Sequence, residues 1–233
     1  MGAGRPADPP LYPNLSFWWA SLGRISNIPT PLITRIDMMA QRSGINKTAR
    51  SKKVPRAVLQ QIRLFATDLD GVLTDGGMYY AESGDEWKKF NTRDGMGIKL
   101  LQRAGLITAI VTQERTKLVA RRAEKLAIPE LHQGVMDKLL CVREMAARHG
   151  LTLSQVAYIG DDINDLETLK AVGFSATPAD GMPQVSAVVD YICQKKGGEG
   201  AVREIIEMIL EAQGAKFEVR SSKFHVAHSG KRS

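Results

Sequence analysis

The 233-residue sequence is poor in the residues that build disulfide scaffolds and zinc sites, with two cysteines and four histidines. Cys141 and Cys193 belong to no Cys-x-x-Cys or Cys/His cluster, which argues against both structures and favours a reducing cytoplasm. No apolar run approaches the roughly 20 residues of a membrane span. Residues 11–22 are apolar but are interrupted by Pro13 and Asn14, so we expect neither a membrane association nor a secretory signal.

The net charge of +7 is distributed unevenly along the chain. Residues 1–57 hold 9 Lys and Arg against 2 acids, residues 58–212 hold 18 against 22, and residues 213–233 hold 5 against 1. A nucleic-acid-binding core is therefore not indicated, although basic ends can bind nucleic acid or anionic lipid. We predict a poorly ordered, proline-rich extension over residues 1–57, one folded domain over 58–213, and a basic tail over 214–233.

Strand-like and helix-like segments alternate throughout the predicted domain. Short apolar runs predict strands at residues 63–68, 106–111, 131–134, 156–159, 174–176 and 188–192. Helical segments are predicted at 58–62, 95–104, 115–126, 136–149, 163–172 and 201–212, and a hairpin at 78–81 and 86–90. Asp94 and Gly105 are expected to cap and close the helix between them. The alternation predicts an α/β fold, a doubly wound, mostly parallel sheet whose binding crevice lies at the carboxyl ends of the strands.

Two carboxylates follow the first predicted strand, in the segment Asp68-Leu69-Asp70-Gly71. Residues two apart leave a strand on the same side, and a glycine lets the backbone turn away beside them. This arrangement suits phosphoryl transfer, with one carboxylate as nucleophile and the other in proton transfer. An ordinary strand end with an Asp-Gly turn is the alternative, and the segment alone does not decide between them.

A hydroxyl and a cation occupy related places further along the chain. Thr112 follows the second predicted strand, where its hydroxyl and the next backbone N–H groups suit a phosphate oxygen. Lys138 lies at a helix start, where the dipole gives a cation no stabilisation, so its position indicates an anionic ligand. Taken singly, Thr112 is more typical of a helix cap, and Lys138 of a solvated surface.

Three acids lie within five residues after the predicted strand at 156–159, namely Asp161, Asp162 and Asp165. Their mutual repulsion is most simply relieved by a divalent cation. Oxygen ligands without His or Cys select Mg²⁺ over zinc. The alternative is an acidic helix amino end that is stabilised by the helix dipole.

The order of these motifs resembles that of the haloacid dehalogenase phosphatases. The resemblance implies a magnesium-dependent phosphoric monoester hydrolase that forms an aspartyl-phosphate intermediate. It makes Asp68 the nucleophile and a metal ligand, and Asp70 the general acid/base whose backbone carbonyl also binds the metal. Thr112 and Lys138 then hold the phosphate, and Asp161 is a metal ligand. The remaining acids, Asp162 and Asp165, are expected beside the metal, and the sequence does not decide which of them is a ligand.

A closer resemblance, over roughly residues 64–213, is to the 3-deoxy-octulosonate 8-phosphate and nonulosonate 9-phosphate phosphatases and the modules attached to acylneuraminate cytidylyltransferases. Octulosonate enzymes usually have Thr-Gly-Arg at the second motif, whereas this chain has Thr112-Gln113-Glu114-Arg115. Glu114, with Arg122 and Lys125 on or near the same helical face, is similar to the nonulosonate branch, so we expect a nonulosonate 9-phosphate, with octulosonate 8-phosphate as the alternative. A helix with surface ion pairs would also explain these three residues.

The spacing of the motifs leaves no room for a cap domain beyond the small hairpin flap. In the capless sugar-acid phosphatases that the chain resembles, a ring of four subunits covers the sites, so the resemblance implies a homotetramer. It also implies substrate contacts for Thr74 and for Gly198 and Gly200 in a glycine-rich loop. A non-catalytic tetramerisation module that partners an acylneuraminate cytidylyltransferase is a further alternative.

Overall fold

The computed structural model describes residues 54–215, and the predictions for residues 1–53 and 216–233 lie outside that range. Six parallel strands form the main sheet: β1 (Leu64–Thr67), β4 (Ile107–Thr112), β5 (Glu130–Gln133), β6 (Val156–Ile159), β7 (Phe174–Thr177) and β8 (Tyr191–Ile192). Their order across the sheet is β5-β4-β1-β6-β7-β8. The predicted hairpin is present as β2 (Tyr79–Tyr80) and β3 (Glu86–Trp87), which pair antiparallel.

Helices connect the strands on both faces of the sheet, as the alternating pattern predicts. They are α1 (Arg56–Gln61), α2 (Thr92–Arg103), α3 (Lys117–Leu126), α4 (Lys138–Arg148), α5 (Leu166–Ala171), α6 (Pro183–Ser186) and α7 (Ala201–Ala212). Short 3₁₀ turns precede β6 and α5, at Leu153–Gln155 and Ile163–Asp165. None of the helices within residues 54–215 is long and apolar enough to cross a membrane.

The two faces of the sheet bury separate apolar clusters because successive strand residues point in opposite directions. In β1, Phe65 packs into the cluster formed with α1, α2, α3 and α7. Its neighbours Leu64 and Ala66 pack into the cluster formed with α4 and α5. Complete burial of a side chain such as Phe65 contributes about 1.5–3 kcal/mol. These clusters pack against both faces of the central strands, whose carboxyl ends carry the predicted site residues.

Several predicted boundaries are wrong for identifiable reasons. Helix α2 begins at Thr92 because the Asn91 side chain accepts a 2.8 Å hydrogen bond from Arg93 N, so Asp94 is not its cap. Asp94 instead accepts a 2.8 Å hydrogen bond from Arg203 N and caps α7 across the molecule. Helix α3 begins two residues later than predicted, after Thr116, whose side chain caps it.

Two longer predicted elements are divided in the structure. The helix expected over 163–172 consists of a 3₁₀ turn and α5. In the strand expected over 188–192, only Tyr191–Ile192 are extended, because α6 ends at Ser186 and a turn follows it.

Candidate active site

The carboxyl ends of three adjacent strands meet at one cleft of about 430 Å³. Asp68 follows β1, Thr112 ends β4, and Asp161 follows β6, so the parallel pairing of these strands brings the three residues to one edge. The cleft is lined by Asp68, Asp70, Gly71, Gly76, Thr112, Gln113, Glu114, Arg115, Asp161, Asp162 and Asn164. The residues predicted at the strand ends are therefore brought together.

A buried cation lies between two buried carboxylates at the base of this cleft. Lys138 Nζ is 3.0 Å from Asp68 Oδ2 and 2.7 Å from Asp165 Oδ1. Lys138 is the first residue of α4, whose amino end is capped by Asp137. Burial disfavours the charge of Lys138, but Asp68 and Asp165 outweigh that effect and raise its pKa. Lys138 is thus not a solvated surface lysine.

Asp165 is hydrogen-bonded through both of its oxygens. Its Oδ1 accepts from Lys138 Nζ and from the Tyr158 hydroxyl, which lies 2.6 Å away. Its Oδ2 accepts from the backbone N–H groups of Asp161 at 3.1 Å and Asp162 at 3.3 Å. Asp165 therefore fixes the backbone that carries Asp161. Tyr158 is not among the predicted site residues, because it lies in the apolar run of β6.

An acidic cluster at the cleft has the composition of a divalent-cation site. One carboxylate oxygen each from Asp68, Asp161 and Asp165 lies within 4.8 Å of the others. Burial and repulsion by Asp165 raise the pKa of Asp68 to about 7, and burial and repulsion by Asp68 raise the pKa of Asp161 to about 8. A hard cation would relieve this cost, and an all-oxygen donor set fits Mg²⁺.

A glycine makes room for the acidic cluster. Gly71 has a φ of +73°, and a Cβ atom placed on it would overlap the Asp161 carboxylate. Only a residue without a side chain allows the turn after β1 to pass this close to the second acidic segment.

Asp70 is held from two sides. Lys88 Nζ lies 2.8 Å from its Oδ1 and 2.7 Å from its Oδ2, and the Thr74 hydroxyl donates to Oδ1 at 3.3 Å. Thr74 Oγ1 also accepts from the backbone N–H groups of Gly71 and Gly76, both at 3.3 Å. Thr74, predicted to contact substrate, thus organises the turn itself. Lys88 was missed, although the two-residue period of the strand segment that carries it was a usable signal.

The loop after β4 forms another wall of the cleft. The Thr112 hydroxyl accepts a 3.1 Å hydrogen bond from Glu114 N, and Gly134 N donates to the Glu114 carbonyl at 3.1 Å. Arg115, which also lines the cleft, lies against Gly134, where a Cβ atom would clash with its guanidinium. Glu114 is therefore in the cleft but lies before helix α3, not on it.

The other predicted substrate residues lie elsewhere in the described chain. The Arg122 guanidinium is 5.0 Å from the centre of the Phe90 ring and donates to the Asn91 carbonyl at 3.0 Å. Lys125 is exposed on α3. Neither residue lines the cleft, so the structure does not bring them together with Glu114.

The two predicted glycines, Gly198 and Gly200, belong to the loop before α7, which packs against the turn after β1. Gly198 N donates to the Val72 carbonyl at 2.9 Å, and Asn91 Nδ2 donates to the Gly198 carbonyl at 3.2 Å. Gly200 is the residue before α7. Within the described chain neither glycine lines the cleft, so this loop supports the turn.

Comparison with known proteins agrees with this arrangement. A family model described as haloacid dehalogenase-like hydrolase matches residues 125–206. The sequence is 44% identical over 152 residues to the Yersinia pestis 3-deoxy-D-manno-octulosonate 8-phosphate phosphatase KdsC, covering 65% of this chain and 81% of that protein. It is 38% identical over 164 residues to the Escherichia coli K12 enzyme of the same name, covering 70% and 87%.

The chain is also similar to solved structures of such phosphatases. The Moraxella catarrhalis 3-deoxy-D-manno-octulosonate 8-phosphate phosphatase, crystallised with magnesium, phosphate and KDO, is 43% identical with a TM-score of 0.67, covering 68% of this chain and 91% of that one. The cobalt-bound Haemophilus influenzae deoxy-D-mannose-octulosonate 8-phosphate phosphatase is 39% identical with a TM-score of 0.65, covering 67% and 92%.

The fold, the acidic cluster and these similarities define a class of enzyme: the chain belongs to the haloacid dehalogenase-like hydrolases. Within that class it is a member of the capless sugar-acid phosphatase group. It is therefore a phosphoric monoester hydrolase that uses Mg²⁺, and its substrate is a phosphorylated sugar acid. This assignment sets aside the non-catalytic interpretation of the sequence.

Proposed function

We propose that the chain hydrolyses 3-deoxy-D-manno-octulosonate 8-phosphate, releasing the free sugar acid and phosphate. One observation carries the proposal: the chain is 44% identical to a phosphatase named for this substrate and covers 81% of its length. The proposal replaces the nonulosonate 9-phosphate as the favoured substrate, because the preference for the latter rested on Glu114, Arg122 and Lys125. Of these three, only Glu114 lines the cleft.

The roles proposed for the cleft residues come from the family resemblance, and their common position in the cleft supports them. An Asp68 carboxylate oxygen attacks phosphorus, the bond from phosphorus to the sugar oxygen breaks, and Asp70 gives that oxygen a proton. Asp70 then takes a proton from the water that attacks the aspartyl phosphate, which releases phosphate and restores Asp68. Lys138 and Thr112 hold the phosphate oxygens during both steps, Lys138 from 3.0 Å beside the nucleophile.

Metal binding is proposed for Asp68, the Asp70 backbone carbonyl and Asp161. Bound there, Mg²⁺ supplies the positive charge that lets an anionic carboxylate approach an anionic phosphate. We assign Asp165 an orienting role because both of its oxygens already accept hydrogen bonds. Asp162 Oδ1 accepts from Ile163 N at 2.7 Å, so we propose that it caps the 3₁₀ turn beside the metal.

A substrate panel tests the proposal. Phosphate release is measured with 3-deoxy-D-manno-octulosonate 8-phosphate, a nonulosonate 9-phosphate and unrelated sugar phosphates, each with Mg²⁺ and with EDTA. We expect the octulosonate ester to give the highest kcat/KM and EDTA to abolish turnover. Asp68→Asn should remove activity, whereas Lys170→Met, which breaks an exposed ion pair with Glu167, should not. Full activity of Asp68→Asn would exclude the covalent route.

A nonulosonate 9-phosphate is a second candidate substrate, supported by Glu114 alone. Its Oε1 lies 3.9 Å from Lys88 Nζ at the cleft wall, where it can accept a hydrogen bond from a sugar hydroxyl or amine. Glu114→Gly should lower kcat/KM for the nonulosonate ester more than for the octulosonate ester if this candidate is correct. Equal effects on both esters would remove it.

We also propose that the chain assembles as a homotetramer through its hairpin. The side chains of Tyr79, Tyr80 and Trp87 are 50%, 74% and 67% exposed in the single chain. An exposed patch of three neighbouring aromatic side chains is unusual for a monomer and typical of an interface. Light scattering after size exclusion measures the assembly directly. We expect four chains for the wild type and fewer for Tyr80→Lys with Trp87→Lys, and a monomeric wild type would exclude the proposal.

A further inference from the structure

The Lys88 side chain is buried although it carries a charge and lies in the hairpin flap. None of its side-chain surface is exposed, and its ammonium contacts both oxygens of Asp70, at 2.8 and 2.7 Å. Glu86 Oε1 and Glu114 Oε1 lie further away, both at 3.9 Å. Burying a lysine is costly unless its charge is paired, so the contact with Asp70 accounts for its position.

The hairpin places Lys88 there through the two-residue period of an extended chain. Trp87 and Lys89 point outwards and are exposed, and Lys89 pairs with Asp75 at 3.1 Å on the outer side. The strand is then anchored by the antiparallel bridge between Phe90 and Thr74. Residues 88–90 thus contact the turn after β1 at three places, namely Asp70, Thr74 and Asp75.

We propose that Lys88 is a positioning residue for proton transfer by Asp70, and that it makes the orientation of that carboxylate depend on the hairpin. Two charge-assisted hydrogen bonds fix both oxygens of Asp70 and so limit its rotation. The remaining contact, from Thr74 at 3.3 Å, reaches only one oxygen and does not define the orientation alone. The inference rests on the proposed role of Asp70 and holds for any of the candidate substrates.

A double-mutant cycle tests the inference. Activity is measured with p-nitrophenyl phosphate and with the best sugar-acid phosphate of the panel for wild type, Lys88→Met, Asp70→Asn and the double variant. We expect Lys88→Met to lower kcat with the sugar-acid phosphate roughly ten- to a hundredfold. On the Asp70→Asn background the same change should cost less than about threefold, because Lys88 then has no carboxylate to position.

Leaving-group dependence and rescue supply readouts that a merely structural role would not change. An aryl oxygen leaves with little need of a proton, so Lys88→Met should affect kcat/KM for p-nitrophenyl phosphate less than for the sugar-acid ester. Lys88→Arg should restore part of the loss, and Lys170→Met should lose nothing. Additive losses in the cycle would overturn the role of Lys88, whereas a wild-type rate for Asp70→Asn would overturn the role of Asp70 first.

Discussion

The Tyr158 hydroxyl donates a 2.6 Å hydrogen bond to Oδ1 of Asp165, and both side chains are buried beneath the cleft. The bond extends the network from β6 through Asp165 to Lys138 and Asp68. Because Asp165 also accepts hydrogen bonds from the backbone N–H groups of Asp161 and Asp162, this network joins the proposed nucleophile to the acidic segment proposed to bind the metal. The base of the site is therefore a single hydrogen-bonded unit.

Tyr158→Phe should destabilise the protein by about 2 kcal/mol, because it removes a hydrogen bond to a buried carboxylate without creating a large cavity. Turnover should fall by less than about tenfold, since Lys138 still contacts Asp165. Urea unfolding and steady-state kinetics measure the two effects. Ser83→Ala removes an exposed hydroxyl–carboxylate hydrogen bond and serves as the control, with no expected change. Equal stability of Tyr158→Phe and the wild type would contradict the prediction.

The sheet and the positions of the proposed catalytic residues at the strand ends could be predicted from the sequence because they depend on local patterns. The apolar run of β6 matches its predicted bounds, and so does the amphipathic helix α7. Asp68, Thr112 and Asp161 each follow or end an apolar run, and parallel strands bring such residues to the same edge. These positions depend on the order of residues along the chain and not on side-chain packing.

The remaining features depend on contacts between distant segments. Asp94 has the sequence context of a helix cap, but its partner Arg203 is 109 residues away. In the sequence Tyr158 has the pattern of an apolar residue in a buried strand, and only the folded structure brings its hydroxyl to Asp165. Arg122 has the spacing of a substrate residue, yet its guanidinium lies over the Phe90 ring and does not line the cleft.

Asp94→Ala should destabilise the protein by about 2 kcal/mol, because it removes the acceptor for Arg203 N and leaves a void between α2 and α7. Asp94→Asn keeps an oxygen acceptor and should cost less. Thermal unfolding compares the variants with Glu82→Ala, an exposed acid of the hairpin loop, as the control. The prediction fails if alanine and asparagine have the same effect at this position.

The metal-free protein should lose stability as the pH rises toward 8. Since the pKa of Asp68 is raised to about 7 and that of Asp161 to about 8, the folded protein binds more protons than the unfolded chain above pH 4. Its free energy of unfolding therefore falls between about pH 4 and pH 8. Mg²⁺ replaces these protons, so it should raise the melting temperature more at pH 8 than at pH 6.

Thermal unfolding in EDTA and in Mg²⁺ at both pH values measures this difference. Asp161→Asn removes one of the two carboxyls of the acidic cluster whose pKa is raised, so its metal-free stability should depend less on pH than that of the wild type. Its response to Mg²⁺ should also be smaller at pH 8. A larger stabilisation by Mg²⁺ at pH 6 than at pH 8 would show that protons and the metal do not compete at this cluster.

Gly71→Ala should weaken metal binding through a steric effect on Asp161. The backbone at this position has a φ of +73°, and the new methyl group would overlap the Asp161 carboxylate. The left-handed conformation alone costs roughly 1–2 kcal/mol for a residue with a Cβ atom. We expect displacement of the carboxylate to raise the Mg²⁺ concentration for half-maximal activity by about tenfold or more, since a ligand is lost.

Gly84→Ala is the matched control for this change. Gly84 has a φ of +86° in the hairpin loop, and a Cβ atom there would meet nothing within 4 Å. Both variants carry the backbone penalty, but only Gly71→Ala has the clash. Gly84→Ala should therefore lose stability and keep the wild-type Mg²⁺ dependence. If both variants shift that dependence equally, strain in the backbone is responsible, and Gly71 does not act by making room for Asp161.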